Sequence, residues 1–154
     1  MKELDLAFSE MGLLLPREEP YVMTLEEIEQ HFGLDNHARR NVYSGLKAAV
    51  INLFDSGVQR IVIGGSFISR KKEPQDVDIA WWFHADIDWD VLDSVFQVPE
   101  RRAARGKFCI DQKIDGVSDV PYDQSHEYFL RSNMRMPEGF QEVGIVLIQR
   151  TRGN

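Results

Sequence analysis

The sequence predicts an α+β (mixed α/β) protein in which one mixed sheet is backed by helices. Three observations carry that expectation. Residues 24–57 show helical periodicity. The apolar runs at 58–65, 76–83, 107–114 and 142–150 are short and mostly rich in β-branched residues. Helical and strand-like segments are interleaved along the chain. A length of 154 residues suits one domain with its own core, and residues 1–154 are expected to be that domain.

Taken in order, Pro16 and Pro20, with Arg17, Glu18 and Glu19 around them, mark residues 1–23 as an extended N-terminal leader. Thr24-Leu25-Glu26-Glu27 has the spacing of a capping box, so a short helix is expected from there through about Phe32, ended by Gly33. In residues 36–57, Val42, Leu46, Ala49, Val50, Leu53 and Phe54 recur at three- and four-residue steps, the stripe of an amphipathic helix. Asp35 or Asn36 caps its start and Gly57 suits its end. VQRIVIGG (58–65) reads as a buried strand and DVDIAWWF (76–83) as a second. In HADIDWDVLDSVFQ, acids precede an apolar period, which predicts a helix beginning near Asp88. KFCIDQKI (107–114) reads as a third strand, SHEYFLRSN (125–133) as a short helix, and EVGIVLIQR (142–150) as the last strand.

Composition narrows the function. Hydrophobic residues make up 43% of the chain and charged residues 28%, ordinary for a soluble globular protein. No apolar run reaches the ~18 residues of a membrane span, and the N-terminus lacks the basic start of a signal peptide. Neither a membrane association nor export is expected, and a cytoplasmic location fits. The single cysteine, Cys109, excludes an internal disulfide framework and a multi-cysteine zinc site. A formal charge of −7 disfavours broad DNA binding, although one phosphate group can still be held where cations or a metal are concentrated.

Three Asp-x-Asp triplets occur: Asp76/Asp78, Asp86/Asp88 and Asp88/Asp90. The last two sit before an apolar period, where carboxylates satisfy exposed N–H groups. Asp76 and Asp78 differ. Strand residues two apart share a face, so both carboxylates point one way, a geometry suited to a hard cation shared with substrate phosphates. Upstream, Gly64-Gly65-Ser66 closes the preceding strand, and a glycine turn can expose backbone N–H groups to an anion. Asp111 interrupts the apolar alternation of the third strand, where a carboxylate is costly without a partner; metal coordination would supply one. Asp115, ahead of Gly116, reads as a turn residue.

These residues resemble the nucleotidyltransferase superfamily typified by DNA polymerase beta, in its short, minimal form. That superfamily carries Gly-Ser at the end of one strand, Asp-x-Asp at the start of the next and a third Asp on a later strand. The roles map onto Gly65-Ser66, Asp76 and Asp78, and Asp111. The run from Thr24 through Phe83 further resembles short bacterial and phage proteins described as nucleotidyltransferase-like. The resemblance covers most of the chain, while its diagnostic motif occupies Gly64 to Asp78. The loop after Ser66 departs from the minimal pattern: it is one residue shorter and reads Phe-Ile-Ser-Arg-Lys-Lys in place of Ala-Arg-Gly.

The resemblance implies a nucleotidyltransferase-like fold and transfer of a nucleoside monophosphate from a nucleoside triphosphate to a protein or RNA acceptor. It also implies Mg²⁺ or Mn²⁺ held by Asp76, Asp78 and Asp111, and suggests a toxin–antitoxin or phage-defence setting. Gly64, Gly65 and Ser66 would position the phosphates, and Arg70, Lys71 and Lys72 would neutralise the triphosphate. The alternative is a catalytically degenerate version of the fold that binds a nucleotide or a partner protein.

Other residues carry less. His31, His37, His84 and His126 lack metal-ligand spacing. Cys109 shares a face with Asp111 if its strand is regular, and reads as a packing residue. Trp81 and Trp82 point to opposite faces, one to the core and one free to stack on a base. Arg101, Arg102, Arg105 and Lys107 read as a solvated basic face that could also steer an RNA or a triphosphate.

Overall fold

The computed structural model describes residues 6–82, 86–97, 101–115, 134–136 and 139–150, and of residues 82, 101–102, 111–115, 134–136 and 139–141 it describes the backbone. The elements are β1 (Tyr21–Met23), α1 (Leu25–Phe32), α2 (His37–Asp55), β2 (Ile61–Gly64), β3 (Val77–Trp82), α3 (Arg101–Phe108), β4 (Ile110–Asp115), β5 (Met134–Met136), β6 (Gly139–Gln141) and β7 (Val146–Ile148). Five strands form one mixed sheet in the order β1-β7-β2-β3-β4, and β5 and β6 pair separately. β2 is antiparallel to both β3 and β7, whereas β1–β7 and β3–β4 are parallel. The architecture is α+β, as the alternation of segments predicts.

Local chemistry explains the helices. Thr24 Oγ1 accepts from the Glu27 N–H at 3.1 Å, and Glu27 Oε1 accepts from the Thr24 N–H at 2.9 Å, completing the capping box. Asn36, not Asp35, caps α2, accepting from the Arg39 N–H at 2.9 Å. All six stripe residues of α2 are buried, and Gly57 follows the helix at φ +108°.

Burial along the strands sorts the sheet into two faces, because successive side chains alternate. Tyr21, Met23, Ile61, Ile63, Val77, Ile79, Trp81 and Val146 join the helices in one core. Val62, Ala80 and Ile145 form a second, smaller cluster. Asp78, between Val77 and Ile79, therefore belongs to the face turned away from the main core.

Several expectations need correction. Tyr21–Met23 is an edge strand of the sheet, and Leu13 and Leu14 are buried, so the segment read as a leader is packed against the domain. Apolar side chains on both flanks of its prolines find sites in the core. The helix expected near Asp88 is absent. The Asp88 carboxylate accepts from the N–H groups of Asp90 and Val91 and holds a turn, after which only a short 3₁₀ turn forms at Ser94–Phe96. Local side-chain capping there wins over helical periodicity.

Helix α3 instead occupies the basic run. Ala104 and Phe108, four residues apart, bury one face of it while Arg105 and Lys107 stay exposed. The strand read from residue 107 begins at Ile110, since Cys109 takes a left-handed conformation at φ +56° between α3 and β4. Cys109 is thus a turn residue, and Asp115 the last residue of β4. The helix read at 125–133 lies outside the described residues, as do His84 and His126. Gly45 lets α3 end directly on α2: a Cβ there would lie 2.0 Å from the Phe108 carbonyl oxygen. That close approach sets where β4 begins.

Candidate functional site

The antiparallel register pairs Gly64 with Asp78, which delivers the Gly64-Gly65-Ser66 turn to the start of β3. Gly65 has φ +88°, and a Cβ built on it would fall 2.7 Å from Asp78 Oδ2. The turn backbone therefore lies against the Asp78 carboxylate with no side chain between them. Ser66 then opens a 3₁₀ turn through Ile68.

Asp76 immediately precedes β3, one residue before the ladder with β4 begins at Val77 and two residues from Asp78. Both aspartates are half-buried. The Asp76 carboxylate meets Arg105 of α3 at 3.5 Å. An ion pair this exposed contributes roughly 0–1 kcal/mol, so the fold loses little if Arg105 turns to another anion. Parallel pairing of β3 and β4 sets Asp111 in register beside Asp78; its side chain lies outside the description. Among the described residues, no three or more His, Cys, Asp and Glu side chains converge on one point.

Arg70, Lys71 and Lys72 are exposed and line a cleft whose walls include His31, Phe32, Asp35 and Asn36, but none of Gly64, Gly65, Ser66, Asp76 and Asp78. The Arg70 guanidinium sits 4.5 Å above the Phe8 ring. Trp81 is fully buried, edge-on to Phe96 at 6.0 Å, and so is closed to a base; the Trp82 side chain is outside the description.

Arg105 belongs to the basic run expected to steer an RNA or a triphosphate, and its pairing with Asp76 carries no sequence signal. Arg39 escaped the sequence reading, although it does carry a signal: it extends the α2 stripe back from Val42 by three residues, a cation at an apolar position. It is 3% exposed and donates to the carbonyls of Phe32 at 3.1 Å, Phe67 at 2.7 Å and Ser69 at 2.7 Å, and to that of Lys71. Burial lowers its pKa and the nearby Asp35 opposes that shift. By binding three carbonyls between residues 67 and 71, Arg39 fixes the connection from β2 to β3.

The donor set suits a divalent cation. Asp76 and Asp78 supply hard carboxylate oxygens, and Gly65 keeps open the space that a Cβ would fill beside Asp78. Among the described residues no helix is long and apolar enough to cross a membrane. Comparison with curated proteins and with solved structures finds no match. Residues 6–149 match a family described as "Family of unknown function (DUF6932)". With that match spanning most of its length, the chain belongs to the DUF6932 family.

Proposed function

We propose that this protein is a metal-dependent nucleotidyltransferase that moves a nucleoside monophosphate from a nucleoside triphosphate to a hydroxyl of a protein or RNA. The observation that carries the reading is the apposition of the Gly64-Gly65-Ser66 turn and the Asp78 carboxylate, with Asp76 two residues away. One side of this site offers backbone and hydroxyl donors to phosphate oxygens; the other offers carboxylates to a cation.

In this reading Ser66 and the backbone of Gly65 orient the β and γ phosphates. Asp76 and Asp78, with Asp111 on the neighbouring strand, would hold Mg²⁺ or Mn²⁺, which when bound neutralises charge on the triphosphate and on the leaving pyrophosphate. The acceptor oxygen forms a bond to the α-phosphorus, the bond from that phosphorus to the β-bridging oxygen breaks, and the acceptor proton passes to solvent or a nearby carboxylate. Arg105 is placed to follow the charge, exchanging Asp76 for a phosphate oxygen. A cytoplasmic setting, where nucleoside triphosphates are abundant, goes with this chemistry.

A second reading, a degenerate fold that binds a nucleotide or partner without transfer, draws on the Asp76–Arg105 pair, which already satisfies one carboxylate. Incubating the purified protein with each α-labelled triphosphate, Mg²⁺ or Mn²⁺ and cell extract separates the two. Label on a protein or RNA that depends on metal and on Asp78 supports transfer. Metal-dependent nucleotide binding with no labelled product in any extract supports the degenerate reading.

A further inference from the structure

The chain carries a net charge of −7, yet three consecutive cations, Arg70, Lys71 and Lys72, stand at one cleft of about 620 Å³. That volume lies in the range of small-molecule sites, roughly 300–1,000 Å³. We propose that this cleft is an anion site separate from the aspartate pair, and that it takes a small phosphorylated molecule with an aromatic or apolar body.

The rim is built rather than incidental. Three loop carbonyls, those of Phe67, Ser69 and Lys71, are held by Arg39, and the Lys72 carbonyl accepts from Asn36 Nδ2 at 2.7 Å. The Arg70 N–H donates to the Gly12 carbonyl at 2.8 Å, and the Lys71 N–H donates to Ser69 Oγ at 3.1 Å. With its backbone tied to α2 and to the N-terminal segment, the loop presents its three cations from a fixed frame, so little ordering entropy is lost when an anion arrives.

The cleft is also lined by Phe8 and Phe32, which meet edge to face with centroids 6.3 Å apart, and by Leu6, with Arg70 stacked on Phe8 so that the charged and apolar walls adjoin. Polar and apolar walls thus face one space, which suits a ligand with a charged end and a ring. Among the described residues Asp35 is the one acid on the wall, set against the three rim cations. Because Asp78 projects from the sheet face turned away from the main core, and neither it nor the Gly64–Ser66 turn lines this cleft, the inference stands independently of the transferase reading.

The test uses calorimetric titration of the full chain in EDTA, with AMP, inorganic phosphate and adenosine as probes. AMP is expected to bind wild type more tightly than either fragment. The double variant Lys71→Glu with Lys72→Glu should bind AMP about tenfold or more weakly, since two attractive charges become repulsive. Both lysines are exposed, so the thermal midpoint should stay near that of wild type. Asp78→Asn should leave AMP affinity unchanged. The proposal is overturned if AMP shows no binding, if the charge reversal has no effect, or if Asp78→Asn abolishes the interaction. Equal affinity for adenosine removes the anion component, and binding of an RNA oligonucleotide in the absence of AMP binding replaces the small-molecule reading with a macromolecular one.

Discussion

A side chain at Gly65 would meet two obstacles at once. The φ of +88° is one that residues with a Cβ rarely adopt, and the added carbon would press on Asp78 Oδ2 at 2.7 Å. Gly65→Ala is expected to cost about 1–3 kcal/mol of stability from backbone strain and to leave a folded protein. Triphosphate affinity should fall further for Gly65→Val, whose branches fill the space next to the turn. Urea denaturation and nucleotide titration of both variants check this; unchanged affinity in a folded Gly65→Val protein would remove the phosphate cradle from consideration.

Arg39 makes the opposite kind of demand, a charge placed where the helix expects a hydrocarbon. Removing it strands several buried carbonyls, so Arg39→Ala should cost about 2–4 kcal/mol. Lysine should restore little of that, because one ammonium cannot reproduce a planar fork between Phe67 and Ser69. Urea midpoints of the three proteins give the comparison, and a lysine variant as stable as wild type would show that charge alone suffices there.

Among the elements, those with self-contained signals were legible in the sequence. Thr24 to Glu27 and Asn36 to Arg39 are contacts within one turn, and the α2 stripe needs no knowledge of its partner. The illegible elements depend on distant residues. β1 is a strand because β7, far along the chain, pairs with it from Tyr21↔Val146 to Met23↔Ile148. α3 hides in a basic run because, among its described side chains, Ala104 and Phe108 alone are buried. The pairing of Gly64 with Asp78 follows the same division: the motif suggested proximity, while the register that produces it belongs to the sheet. Where Arg70, Lys71 and Lys72 sit was set by Arg39 and Asn36, which lie about thirty residues upstream and gave no pairwise signal.

The packed N-terminal segment turns this into a prediction at the same scale. Deleting residues 1–23 removes an edge strand and the buried side chains of Leu14, Tyr21 and Met23. It also leaves Ile148 and Val146 of β7 without their neighbour. At about 1.5–3 kcal/mol for each large apolar side chain, the loss approaches the whole stability of an ordinary domain. The shortened chain should lack a cooperative thermal transition by circular dichroism. A sharp transition near the wild-type midpoint would return the segment to the status of a leader.

For the molecule as a whole, the decisive property is how an acidic protein responds to a divalent cation. Asp76 and Asp78 stand two residues apart at the start of β3, and Arg105 pairs with Asp76. Manganese at about 100 times its dissociation constant should stabilise wild type by about 2.7 kcal/mol, a rise of roughly 5–10 °C for a chain of this size. Asp78→Asn should lose most of that rise and all metal-dependent transfer while its midpoint without metal stays close to wild type. Arg105→Ala should separate the two charges on the site. Relieved of a competing cation, Asp76 binds metal at least as well, so the manganese-induced rise persists or grows, whereas triphosphate affinity falls. Scanning calorimetry with and without manganese, beside the transfer assay, reads all three proteins. A wild type that neither warms with manganese nor labels an acceptor would establish the pair as a surface feature held by Arg105. A rise that survives Asp78→Asn would place the metal elsewhere among the chain's many acids.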